Sequence, residues 1–216
     1  QSNNKILNLY GELVFENHPE NSILFSGADN FYIFWYLQRV EGARPDIKVI
    51  NFSMMQLPWY VKQLRERHPN LFVNFEKIAV GQKLDDFYFG NAKNFPIFFA
   101  PLDDQAILSV SEAFNFLPRG LAIELVPRFQ QIQINKYASE QESSWSDLVS
   151  HKEIFENYRD YPSREAKMVY SLALTNIGAF YEEHRFFQQA KGSYNRALQL
   201  SSENFIAEER LQKIKD

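Results

Sequence analysis

The chain has no cysteine among its 216 residues. That excludes a disulfide framework, thiolate metal ligation and a cysteine nucleophile. Glycine is scarce, with eight residues, and G-x-G-x-x-G and G-x-x-x-x-G-K-[ST] are both missing. Neither a dinucleotide fingerprint nor a P-loop is therefore present, and no G-x-S-x-G elbow occurs. No long hydrophobic run exists. The longest uncharged stretches, Val49–Val61 and Met168–Tyr181, are too short to span a bilayer. The QSNNK start lacks the pattern of a signal peptide. No charge of one sign dominates: residues 1–135 carry 12 basic and 14 acidic side chains, and the remainder 11 and 13. A nucleic-acid grip and an anionic-membrane patch are both disfavoured by this balance. No direct insertion of this chain into a membrane is expected.

What the sequence does have is aromatic weight. Three Trp, 11 Tyr and 20 Phe make up 16% of the residues, a composition that excludes long disorder. Eight of nine prolines lie before residue 130, which divides the chain in character. In the first part, Lys5–Phe15 has helical apolar spacing. Ser22–Ser26, Asp46–Phe52, Pro96–Ala100 and Leu121–Val126 read as strands, and Leu71–Phe75 as a strand or a loop. Phe31–Glu41, Pro58–Arg67 and a segment from Asp103 or Asp104 to Phe116 read as helices. Gly42 and Pro45 end the first of these. Gln130–Ile134 alternates like an edge strand. This order predicts an α/β domain over 1–135 with a mainly parallel, Rossmann-like sheet flanked by helices. Residues 136–162, rich in Ser, Glu and Gln, read as a linker or a short helical connector with order around Trp145 and Phe155.

The C-terminal part, 163–216, predicts an all-α helical hairpin region. Leu174, Ile177, Gly178, Tyr181, Ala190, Tyr194 and Ala197 have the spacing of a tetratricopeptide (TPR) repeat. Small residues at Gly178, Ala190 and Ala197 admit a close antiparallel helix, and Tyr181 and Tyr194 fill the space between.

Candidate ligand-binding residues follow from the rule that open α/β sheets bind at the carboxyl ends of their strands. Gly27, Asp29 and Asn30 follow the first strand, Asn51 the second, and Asp103 and Asp104 the third. The same residues serve equally as turn-formers and helix caps. Arg44 and Asp46 flank Pro45 and form either a polar site or a local ion pair that fixes the turn. Trp59 and Tyr60, with Trp35 and Tyr36, offer a sugar-stacking platform or simply core. The four histidines are scattered and mark no metal site. No catalytic residue, metal or cofactor is assigned.

The stretch Ser22–Arg65 resembles part of a family of multi-pass membrane proteins. The resemblance rests on WYLQ-VEG at Trp35–Gly42, RPDI at Arg44–Ile47, V-N at Val49–Asn51, Met54-Met55 and Trp59-Tyr60. PIFFA at Pro96–Ala100 and GLAIELVPR at Gly120–Arg128 extend it. The family is mostly bacterial, and its eukaryotic members include a transmembrane protein O-mannosyltransferase. Where bacterial members carry an acid-rich loop, this chain has Ala28 and Asn30 at two of the acidic positions. The resemblance implies a GT-C-type membrane glycosyltransferase whose catalytic carboxylate lies in a loop that nothing here matches. This chain is then a soluble, extracytoplasmic (periplasmic) portion. It would bind or position an acceptor protein, with a glycan as a further ligand, or brace the membrane part of its own chain. A free-standing TPR-containing interaction module is the alternative. A soluble sugar-modifying enzyme is a third reading.

Overall fold

Short apolar runs bounded by turn-formers become strands. In the computed structural model of the chain, ILFS at Ile23–Ser26 forms β1, KVIN at Lys48–Asn51 forms β2 and IFF at Ile97–Phe99 forms β3. The structure describes residues 3–27, 30–100, 104–150 and 161–215. At 3–7, 30, 104–105, 142–144, 146–150, 161–166 and 215 it describes the backbone alone. Helices α1 (Asn3–Glu16), α2 (Asn30–Arg39), α3 (Pro58–Arg67), α4 (Asp85–Ala92) and α5 (Asp104–Leu108) alternate with these strands. A hairpin follows, of β4 (Phe114–Arg119) and β5 (Ala122–Pro127). Four helices follow among the described residues: α6 (Ile134–Ser150), α7 (Tyr161–Glu183), α8 (Phe187–Leu200) and α9 (Phe205–Lys215). Among the described residues no helix is long and apolar enough to cross a membrane.

The expected mainly parallel sheet is corrected to a mixed one. Its order is β2-β1-β3-β5-β4. β1 pairs in parallel with β2 and β3, but β3 pairs with β5 in antiparallel fashion. The cause lies in residues 109–119, where the expected helix through Phe116 stops at Leu108. The Ser109 hydroxyl donates to the Ala106 carbonyl at 2.6 Å, and the Ser111 hydroxyl accepts the Ala113 N–H at 3.1 Å. Such local bonds compete with helix propagation. The chain then returns as a hairpin through Gly120 (φ +55°), not through a helical crossover. Pro118 is tolerated because β4 is an edge strand.

One further expected strand is absent, and two segments open to alternatives resolve. Gln130–Ile134 forms no strand, and Ile134 opens α6. The polar stretch after it is helical to Ser150, with Tyr137, Gln141 and Trp145 buried at i, i+4 and i+8; Phe155 lies outside the described residues. Leu71–Phe75 is a loop. It is held by Asn91, whose amide oxygen accepts the Phe72 N–H and whose nitrogen donates to the Phe72 carbonyl, each at 2.9 Å.

The chain packs as two compact units, one of residues 18–117 and 123–131 and the other of 1–17, 118–122 and 132–216. In the first, alternate strand residues Ile23, Phe25, Ile50, Ile97 and Phe99 share one face with Tyr60, Val61 and Leu64 of α3 and with Phe87 and Tyr88 of α4. Phe25 stacks on Phe99 at 5.4 Å and meets Phe52, Phe87 and Tyr88 edge-on. Leu24 and Phe98, of the other parity, lie on the opposite face. α2 packs against β2 on its return between the two parallel strands.

In the second unit α7 and α8 lie antiparallel. A Cβ on Gly178 would stand 2.5 Å from the Tyr194 ring, so glycine is what permits the approach. Asn204 precedes α9 and reaches into α7. Its nitrogen donates to the Ser171 and Thr175 hydroxyls at 2.7 and 2.8 Å, and its oxygen caps the Ala207 N–H at 3.1 Å. The Ser171 hydroxyl donates onward to the Ala197 carbonyl of α8 at 2.7 Å. The Glu182 carboxylate accepts from Tyr194 at 2.6 Å and from Arg210 at 3.1 Å.

Candidate functional site

A parallel strand turns both peptide groups of every second residue toward the same neighbour. The Lys48 N–H donates to the Ser22 carbonyl at 2.8 Å. In this register Lys48 and Ile50 serve β1, while Ile47, Val49 and Asn51 face away from the sheet. β2 is an edge strand, so those outward groups need other partners. Two of the three residues have them. The Gln38 amide nitrogen donates to the Ile47 and Arg44 carbonyls at 2.8 Å each. The Asn51 N–H donates to the Tyr60 hydroxyl at 2.9 Å. Between these two side chains the N–H and C=O of Val49 stay open among the described residues.

A crevice of about 180 Å³ forms at that opening. One wall comes from α2, which presents Phe31, Trp35, Gln38 and Arg39 at i, i+4, i+7 and i+8. The other comes from α3, with Tyr60, Gln63, Leu64 and Arg67 at i, i+3, i+4 and i+7, and His68 beyond its end. Ile47 and Val49 line the floor, and Pro45 one end. Trp35 is 46% exposed, although it sits on an amphipathic helix. Among the described residues no carboxylate lines the crevice, and neither Arg39 nor Arg67 forms an ion pair. Burial, followed by the charges of Lys48, Arg67 and Arg39, holds the pKa of His68 below the ordinary imidazole value. Burial likewise raises that of Tyr60, against the N–H bond from Asn51.

Of the sequence candidates among the described residues, Trp35 and Tyr60 line this crevice. Tyr60 is 8% exposed, and its neighbour Trp59, at 58%, meets it edge-on at 5.8 Å. Asn51 is buried, and its side-chain oxygen accepts the Met54 N–H at 3.1 Å, capping the turn Ser53–Gln56. Gly27 follows β1, half-buried. Ser26, paired with Asn51 in the ladder, is buried with its hydroxyl unbonded among the described residues. Asp29 and Asp103 lie outside the described residues, and Asn30 and Asp104 open α2 and α5 with only their backbone described.

Arg44 and Asp46 meet at the far end of β2. The Arg44 guanidinium donates two 2.9 Å bonds to the carboxylate, and further bonds to the His18 and Pro19 carbonyls at 3.0 and 3.2 Å. Asp46 also accepts the Asn21 N–H at 3.0 Å. Those partners latch two loops together, and the Arg44 hydrogen bond above all lowers the Asp46 pKa to about 2. Among the described residues no group of His, Asp and Glu side chains is placed to hold a metal ion.

Sequence reasoning passed over Gln38, Arg39, Gln63, Arg67 and His68. Their signal was the helical spacing of polar residues beside Trp35 and Tyr60. It became readable only once the two helices were known to flank one strand edge.

Fold and crevice define the class: a mixed α/β domain with one partly open sheet edge, in a chain that also carries a helical unit. The chain belongs to the TMEM260-associated domain 2 family, which matches residues 8–117. This is the family expected from the motifs of Ser22–Arg65. The chain is also similar to the protein O-mannosyl-transferase tmem260 of Dictyostelium discoideum. The two are 26% identical over an alignment of 144 residues that covers 63% of this chain. The chain spans only 17% of the length of that relative. No solved structure matches it.

Proposed function

We propose that this chain is the acceptor-recognition region of a protein O-mannosyl-transferase-like membrane protein, lying on the extracytoplasmic side of the membrane. One observation carries the reading. The crevice presents a backbone N–H and C=O at Val49, unpaired among the described residues, between aromatic and amide side chains. This is what an extended polypeptide requires of a sheet edge. The groups lining it can bind and orient, and they include no pair of carboxylates for acid and base work. Sugar transfer then takes place elsewhere in the full-length protein. The relative's printed activity and the small share of it that this chain covers both favour that division.

In this reading the parallel half of the sheet is the Rossmann-like scaffold of the crevice. The helices α7 and α8 form a TPR-like hairpin, supported by the close approach of Gly178 to Tyr194 and by the buried Ala190 and Ala197. That hairpin braces the membrane part or holds a second stretch of the acceptor.

The test is a mannosylation assay on the full-length protein in membranes. Trp35→Ala is expected to raise KM for the protein acceptor roughly tenfold with kcat unchanged, as loss of uniform binding does. An equal fall in kcat at constant KM contradicts the reading. So does turnover of a lipid-linked sugar by the present chain alone.

A further inference from the structure

The crevice stands out electrically from the rest of the molecule. The chain carries a formal charge of −4, yet Arg39, Arg67 and His68 line the crevice with no carboxylate among them. Lys48 is near enough to add to the field at His68. Arginines of a protein surface usually find acidic neighbours. Here the two guanidiniums end α2 and α3 on opposite sides of the same opening, and neither has an ion-pair partner among the described residues. Each presents a planar fork of donors suited to a carboxylate. Between them lies the free peptide group of Val49, and beside it the exposed face of Trp35.

We infer that the occupant of the crevice is an acidic stretch of extended polypeptide: its main chain bonds Val49 and its carboxylates bridge Arg39 and Arg67. This rests on the acceptor-recognition reading and names the chemistry of the acceptor. Three features argue for a peptide. The open N–H and C=O of one edge residue match the donor and acceptor of a peptide main chain. The Gln38 amide and the Tyr60 hydroxyl close the edge on either side, so the contact is limited to one residue's pair of bonds. The unpaired charges then supply the selectivity that so short a contact lacks. His68 agrees with this field, since neighbouring cations help to hold it neutral and an incoming carboxylate would reverse their effect.

The test uses fluorescent ten-residue peptides that alternate valine with glutamate, with serine or with lysine. Each is titrated into the chain at low salt and at about 0.5 M salt, where exposed charges are largely screened. The expected result is that the glutamate peptide binds at least tenfold tighter than the serine peptide. High salt and the double variant Arg39→Gln/Arg67→Gln should both erase that advantage. The arginines are exposed, so the variant should keep the parent's melting temperature and its affinity for the serine peptide. Equal binding of the glutamate and serine peptides overturns the acidic preference and leaves peptide recognition standing. Failure of every peptide, with inorganic phosphate still shifting the His68 resonances, overturns both in favour of a small-anion site. Tightest binding of the lysine peptide overturns the inference outright.

Discussion

The two units of the chain treat buried polar groups in opposite ways. In the sheet unit the centre is made of rings: Phe25 and Tyr88 each lie within about 6 Å of the other and of both Phe87 and Phe99. At the sheet edge the side chains of Gln38 and Tyr60 bond β2, and one peptide group is left over. In the helical unit the polar groups are central. Ser171, Thr175 and Asn204 are buried and bond one another across helices. A closed network fixes one arrangement and keeps nothing for a ligand. An incompletely satisfied edge is where a partner has something to gain.

That contrast breaks most severely in the ring core. Phe99→Ala should destabilise the sheet unit by about 3–5 kcal/mol, the usual cost of emptying a buried aromatic site, as read from urea unfolding. The helical unit should respond less to loss of one polar member. Asn204→Ala removes two bonds between helices and a cap, and about 1–3 kcal/mol is expected. A loss as large as that of Phe99→Ala would show that the network, and not apolar packing, dominates that unit.

Gly178→Ala probes the same unit by crowding. Tyr194 is fully buried and bonded to Glu182, so its ring has little room to yield. A cost of about 1–3 kcal/mol is expected. Gly90→Ala meets the ring of Phe72, which is half-exposed and free to swing, and thermal melts should find the smaller loss there.

The smallest effect belongs to the Arg44–Asp46 latch. The folded pKa of Asp46 is depressed to about 2, below its ordinary value. Its contribution is therefore complete above about pH 4 and is lost as pH falls toward 2. The pair is partly solvated, so screening reduces that contribution to about 1 kcal/mol. Asp46→Asn should flatten the acid limb of stability between those pH values and leave stability otherwise close to that of the parent with its latch protonated.

Short strands and helix stops were legible because their signals are local. Gly42 takes φ +70° after α2, and Pro58 opens α3. The reversal at β5 was not legible. It depends on Ser109 and Ser111 diverting backbone bonds, and on Asp85, 26 residues away, accepting the Ser111 N–H. Helix α6 hid inside a polar composition because its two aromatics, Tyr137 and Trp145, are separated by a run of Ser, Glu and Gln. The crevice was half legible. Trp35 and Tyr60 drew attention as aromatics, but the outward parity of Val49 needed the ladder register. The importance of Arg39 and Arg67 needed their lack of an ion-pair partner among the described residues.

Hydrogen exchange at the Val49 amide tests the central claim most directly. Saturation with the valine–glutamate peptide should slow that exchange at least tenfold, while the Asn51 amide, already bonded to Tyr60, changes little. If the peptide saturates the chain and the Val49 amide exchanges as fast as before, the open edge is not where the acceptor binds.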